Sequence, residues 1–165
     1  MRRALREVLE AVQRTRAWRA AGRPVRRRVR IVRALDDPAG RWRAVFGDLE
    51  RDPARTGSLA HAYVAVAGPV ALGGVIVAPF EQGLFASALR VRPFARGWGI
   101  GCRLARHAGD LGMHRGCSVW LVVAEDNRAA LAVWRAAGFR PVPPPSPVDR
   151  SGHVTFRFSP QAAAR

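Results

Sequence analysis

The stretch Arg96-Gly97-Trp98-Gly99-Ile100-Gly101 sets one arginine and three glycines where an apolar segment ends and an amphipathic one begins. Residues of these types in this order suit an anion. Glycine admits positive φ and lets the backbone come close to a ligand, while the first amides of a helix lack intrahelical partners and its dipole favours negative charge. Arg96 adds a charge-assisted donor. The chemistry implied is a cradle for a pyrophosphate. A P-loop is excluded because it needs a lysine after its glycine and the chain has none; a GxGxxG fingerprint starting at Gly97 would need glycine where Cys102 stands.

Other reactive side chains are sparse. Cys102 and Cys117 form neither a ligand cluster nor a disulfide framework, so a reducing compartment is expected and neither receives a role. His107 and His114 stand seven apart, a spacing that is more often structural, and no metal is assigned. The net charge of +16 comes from 28 arginines with no lysine, against a background rich in Ala, Gly, Pro and Val that points to a GC-rich genome. Residues 1–33 carry 12 arginines against Glu7 and Glu10, a net of +10, which keeps nucleic acid or an acidic partner among the readings. The start, MRRALREVLEAVQ, has no secretory apolar run, and no stretch is long and apolar enough to span a membrane. A cytoplasmic protein without a membrane partner is expected, as a monomer or homodimer.

The elements that must position the cradle follow from periodicity. Leu5, Val8, Leu9 and Val12 recur at helical spacing and predict an amphipathic helix ending near Gly22-Arg23-Pro24, so residues 1–28 form an arginine-rich extension to a domain over 29–165. Val29–Leu35 alternates as a first strand, and a weaker helical region carrying Trp42, Val45, Phe46 and Leu49 follows. HAYVAVAGPVALGGVIVAPF predicts two antiparallel strands around Gly68-Pro69, and GLFASALRV a strand covered on both faces. Ile100, Leu104, Ala105 and Ala108 mark one side of a helix expected to stop around Gly109–Gly112. SVWLVVA is a buried strand, and DNRAALAVWRAAGF a helix with Asp126 or Asn127 as N-cap and Gly138 as C-cap. FRPV and HVTFRFS would close the sheet on either side of the stiff PPPSP loop.

In this setting VRPFARGWGIG resembles motif A of the GCN5-related N-acetyltransferase (GNAT) superfamily, V-x-P-x-x-[QR]-x-x-G-x-[GA], without gaps. LVVAEDNRAALAVWRAAGF resembles that family's motif B, with Leu121, Val123, Asn127, Ala130, Gly138 and Phe139 in register. The two motifs cover about residues 84–140. The resemblance implies an α/β (α+β) fold: a mixed, mostly antiparallel twisted sheet flanked by helices, with a V-shaped splay between strands 4 and 5 and here an extra N-terminal helix.

What the family likeness implies for the site is specific. Acetyl-CoA would sit in the splay as cosubstrate, with the main chain at Leu89 and Val91 along its pantetheine arm and the Val91 amide facing the thioester carbonyl as oxyanion donor. Arg96, Gly97, Trp98, Gly99, Ile100, Gly101 and Cys102 would hold the pyrophosphate, and Asn127, Ala130 and Trp134 would complete the cofactor set. Trp134 occupies the position where much of the family has a Tyr that protonates the departing thiolate, and an indole N–H is too weak an acid for that. GLFASALRV has no carboxylate where many members carry a Glu, which leaves Tyr63, His61, Ser87 and Glu81 as candidate bases. Arg90 and Arg92 read either as solvated strand residues or as phosphate neighbours. The expected activity is transfer of acetyl to a primary amine of a small molecule, peptide or protein, by direct attack. Two alternatives stand beside it: an inactive CoA-binding regulatory domain, and a nucleic-acid or ribosome-associated binder using the basic N-terminus.

Overall fold

The computed structural model describes residues 29–50, 57–143 and 152–160. The expected N-terminal helix and most of PPPSP lie outside the described residues. The chain runs β1 (Arg30–Arg33), α1 (Arg43–Glu50), a 3-10 turn (Gly57–His61), β2 (Ala62–Ala67), β3 (Val70–Phe80) and β4 (Gly83–Val91). A second 3-10 turn (Pro93–Ala95), α2 (Ile100–Arg115), β5 (Val119–Ala124), α3 (Arg128–Ala136), β6 (Arg140–Pro141) and β7 (His153–Phe158) follow. All seven strands join one sheet in the order β1-β2-β3-β4-β5-β7-β6. Every neighbouring pair is antiparallel except β4 with β5, which is parallel and is bridged by α2.

Two apolar layers enclose the sheet, and strand alternation sorts residues between them. Along β2, Ala65 and Ala67 face the core built around α2 and α3, whereas Ala62, Val64 and Val66 face the core built around α1. The β2 and β3 runs are buried on both faces, which is why they read as continuous apolar segments. In α1, Trp42 leads in and Val45, Phe46 and Leu49 fill the second core; Phe46 is fully buried, with a kink at its own φ of −124°. Truncating such a phenylalanine to alanine costs about 3–5 kcal/mol.

The turn before α1 is held by a buried ion pair. Asp37 accepts from the Arg41 backbone N–H (2.7 Å), Nε (2.9 Å) and Nη2 (2.6 Å), and Arg41 Nη1 donates to the Gly68 carbonyl at 2.6 Å. These bonds fasten the approach to α1 onto the β2–β3 hairpin. The Arg41 guanidinium holds the Asp37 carboxyl below its usual range.

Three expectations change at this level. Helix α2 does not stop at Gly109–Gly112 but continues to Arg115, where Gly116 in the left-handed region ends it. The inner glycines are there for contact: a Cβ on Gly112 would lie 2.5 Å from Val119 Cγ2 and 2.8 Å from the Cys117 carbonyl. Strand β4 is not covered throughout, since Leu84 and Ala86 are buried while residues 87–91 are half-buried. Helix α3 takes Asn127 and not Asp126 as N-cap, its side chain accepting from the Ala130 N–H at 3.1 Å; Ala137 is the C-cap and Gly138, at φ +93°, is the next residue.

Candidate functional site

Strand β4 leaves β5 early. Their parallel pairing is confined to Leu84 with Val119 and Phe85 with Trp120, while β5 stays paired with β7 as far as Ala124 and β4 with β3 as far as Val91. Each strand keeps its outer neighbour and loses the inner one, so a wedge opens beyond Phe85. This is the splay expected between strands 4 and 5.

A bulge in β4 sets which backbone groups face that wedge. Pairing jumps from Ile76 with Ser87 to Gly74 with Arg90, so β4 carries one residue more than β3 at this point, and Ala88 lies at φ +49°. The extra residue reverses the strand's phase. Leu84 donates its N–H toward β5, to the Ser118 carbonyl at 2.9 Å, whereas Arg92 donates toward β3, to the Leu72 carbonyl at 2.8 Å. In an unbroken strand two even-numbered residues would point the same way. Val91 therefore turns its N–H and C=O away from β3 and into the wedge, where the carbonyl accepts from Arg96 Nε at 3.4 Å. A left-handed alanine costs on the order of 1–3 kcal/mol, and its place beside the wedge ties that strain to the site.

The cradle follows directly. Pro93–Ala95 makes one 3-10 turn, Gly97 and Gly99 both sit at φ +76°, and α2 starts at Ile100 with Gly99 as a cap that has no side chain. The first helical bond into this end runs from the Arg103 N–H to the Gly99 carbonyl at 3.0 Å, which leaves the amides of Ile100, Gly101 and Cys102 without intrahelical partners. A Cβ at Gly97 or Gly99 would meet nothing within 4 Å, so space is open in front of both. Gly101 is different: its Cβ would lie 3.4 Å from Val133 and 3.6 Å from Val91, so it seats α2 against α3 and β4.

Wedge and cradle form one cavity of about 850 Å³. Leu89, Val91, Arg96, Gly97, Gly99, Ile100, Gly101, Cys102, Asn127 and Ala130 all line it, so ten positions singled out in the sequence meet on one surface. An open cradle with free amides, a guanidinium and a long apolar-walled wedge fits a nucleotide-tailed thioester in both charge and shape. Its charged lining side chains are Arg90, Arg92 and Arg96, with no carboxylate or imidazole among the described lining residues. Among the described residues no three His, Cys, Asp or Glu gather into a possible metal site.

Several candidates stand elsewhere. Trp134 is 3% exposed, packed edge-on against Phe139 at 4.8 Å in the main core; Val133, one residue earlier, takes the cavity wall. Trp98 is half-buried against the same core. Tyr63 leaves β2 on the α2 side, where its ring meets His107 at 4.8 Å. His61 ends the first 3-10 turn, Glu81 sits exposed in the β3–β4 turn, and Ser87 precedes the bulge; none of the four candidate bases lines the cavity.

The cavity also has walls the motifs do not mark. Ala44 and Val45 of α1 close its far side, and Arg90 on β4 reaches α1, donating through Nη1 to the Val45 carbonyl (3.2 Å) and Asp48 Oδ1 (2.5 Å). Hydrogen bonding to Arg90 holds the exposed Asp48 carboxyl below its usual range. Asp48 is thus ionised and paired at neutral pH. No local signal in the α1 sequence could have announced this, because the contact joins residues 42 apart.

Comparison with known proteins agrees with this architecture. The Acetyltransferase (GNAT) family model matches residues 29–139. The chain belongs to the GNAT acetyltransferase family. Among solved structures, a Bacillus subtilis acetyltransferase in complex with CoA is similar at TM-score 0.62 and 14% identity, over 79% of this chain and 98% of that one. The ribosomal-protein-S18-alanine N-acetyltransferase of Escherichia coli gives TM-score 0.59 and 17% identity over 79% and 94%. Arabidopsis thaliana Naa50, in complex with the bisubstrate analogue CoA-Ac-MVNAL, gives 0.59 and 18% over 80% and 99%. A search of the curated proteins returns no match.

Proposed function

We propose that this protein is an acetyl-CoA-dependent N-acetyltransferase that moves acetyl onto a primary amine by direct attack: the amine nitrogen forms the new C–N bond, the C–S bond breaks, and the proton lost from nitrogen is passed through water to the departing CoA thiolate. The observation that carries the reading is the shared cavity, in which an anion cradle and the outward-facing main chain of Val91 stand on one wall. Acetyl-CoA supplies an acetyl group activated as a thioester. The amides of Ile100, Gly101 and Cys102, with Arg96, hold its pyrophosphate, and the free edge of β4 at Leu89 and Val91 aligns the pantetheine arm. The Val91 N–H donates to the carbonyl oxygen as negative charge develops there, a preorganised interaction contributing on the order of 3 kcal/mol. Cys102 stands in the first turn of α2, among the amides assigned to the pyrophosphate, and direct attack needs no sulfur nucleophile.

Proton handling narrows the acceptor. With no carboxylate or imidazole on the described lining, an amine that is already partly neutral is favoured, and a peptide α-amine, with an ordinary pKa near 8, meets that condition. The E. coli relative is named for an alanine of a ribosomal protein and the Naa50 complex holds a peptide-like analogue, which supports the same class. The test is calorimetric titration with acetyl-CoA followed by a CoA-release assay over peptide, amino-acid and polyamine acceptors. Binding with turnover of at least one acceptor is expected; absence of acetyl-CoA binding overturns the reading. That no carboxylate or imidazole stands among the described lining residues favours one second reading, a CoA-binding regulatory domain, and tight binding with no turnover on any amine would select it.

A further inference from the structure

We propose that Arg90 anchors a carboxylate carried by the acceptor, so that the preferred substrate is an amine bearing its own acid group. The inference rests on the acetyltransferase reading and adds the substrate's chemistry to it. Arg90 lines the wedge beside Ala44 and Val45 of α1, and its guanidinium is held through one nitrogen. Nη1 is held by the Val45 carbonyl and Asp48, and the Phe46 ring lies 5.7 Å from the guanidinium carbon. Among the described residues Nε and Nη2 have no hydrogen-bond partner. An arginine held by one nitrogen with its other edge free presents the parallel N–H pair that a carboxylate accepts, and the side chain is about one-third exposed.

The surrounding charge supports the assignment. Arg96 turns instead to the Val91 carbonyl, beside the cradle, and Arg92 lies over the Phe94 ring at 4.9 Å. The charged side chains lining the cavity among the described residues are all arginines, so an anionic acceptor in it meets positive potential and a prepared fork. Asp48, 58% exposed, competes with such a ligand by holding part of the same guanidinium.

That competition separates a ligand anchor from a brace between α1 and β4. The experiment measures kcat/KM for matched acceptors: free amino acids against their amides, and peptides with N-terminal Asp or Glu against Asn or Gln. The wild type is expected to prefer the acid member at least tenfold, the amino-acid and peptide arms revealing which source supplies the carboxylate. Arg90→Gln should bring the acid-to-amide ratio to within about twofold of unity, whereas Asp48→Asn should raise it several-fold. A brace predicts that both variants act alike, lowering the melting temperature together and leaving the ratio in place; that result overturns the proposal. So does Arg90→Gln weakening acetyl-CoA binding without altering the ratio, which would make Arg90 a cofactor phosphate contact. Wild-type turnover with equal use of acids and amides refutes the anchor and leaves the acetyltransferase intact, whereas acetyl-CoA binding with no turnover on any amine removes both. Calorimetric titration of the acid ligands into CoA-saturated protein gives the independent readout, with saturable binding expected in the wild type and not in Arg90→Gln.

Discussion

The two ends of α2 use the same residue for opposite purposes. At its start, Gly97 and Gly99 hold left-handed backbone in front of open space; toward its end, Gly109 and Gly112 are helical and pressed against Phe158 and Val119. The first pair is needed for its torsion angles and the second for having no side chain. Only the second pair lies inside the helix, where each glycine costs about 1 kcal/mol relative to alanine. The contrast shows one glycine type serving two ends: positive φ with open space in front before the helix, and close approach of strand β5 within it.

The contrast breaks most visibly at the cradle. Gly99→Val puts a β-branched residue at φ +76° and is expected to weaken acetyl-CoA binding about 100-fold, roughly 2.7 kcal/mol, with a smaller effect on the melting temperature. Calorimetric titration checks this, and unchanged affinity would displace the cradle from the cofactor site. Gly112→Ala should do the reverse. Its methyl carbon would lie 2.5 Å from Val119 Cγ2, so a loss of about 1–3 kcal/mol in stability is expected, seen as a Tm lower by a few degrees, with acetyl-CoA affinity of the folded protein little changed. If Gly112→Ala harmed binding more than stability, the two ends would not be distinct.

The smallest effect is expected between them. His107 is half-buried on α2 with no hydrogen-bond partner for Nε2 among the described residues, and burial pushes its pKa below the usual imidazole value, against the opposing influence of Asp110. The unfolded chain then binds a proton at higher pH than the folded one. Stability contributed by keeping this ring neutral is fully present above about pH 6.5 and falls as pH drops from there toward the folded pKa. His107→Leu should flatten the decline of Tm between about pH 7 and 5. A decline of the same slope in the variant would assign it to other groups; Asp37 is not among them, because its depressed pKa acts only below about 4.

Legibility from the sequence followed the range of the interactions. Asn127 could be read as a cap because it bonds the N–H of Ala130, three residues on, and the cradle glycines because torsion preference is a property of the residue itself. Trp134 misled because family position and helix rotation are different things: Ala130 and Val133 share the cavity side, and Trp134, one step of about 100° further round, enters the core. The glycine stop expected at 109–112 failed for a related reason, since a glycine needed for packing and one needed for a turn look identical in the chain.

From the sequence by itself came the glycine-rich turn ahead of α2 and the order of the elements, both properties of segments a few residues long. Tertiary structure alone decided the site's working surface. The bulge at Ala88 turns the Val91 main chain into the wedge only because β3 holds the strand on the other side. The wedge opens because β5 follows β7 away from β4, and Arg90 faces the cavity with one edge engaged because α1 arrives there from more than forty residues away. Partners so distant in the chain leave no periodicity to read; their contacts exist only once the sheet has closed and its two faces have been covered.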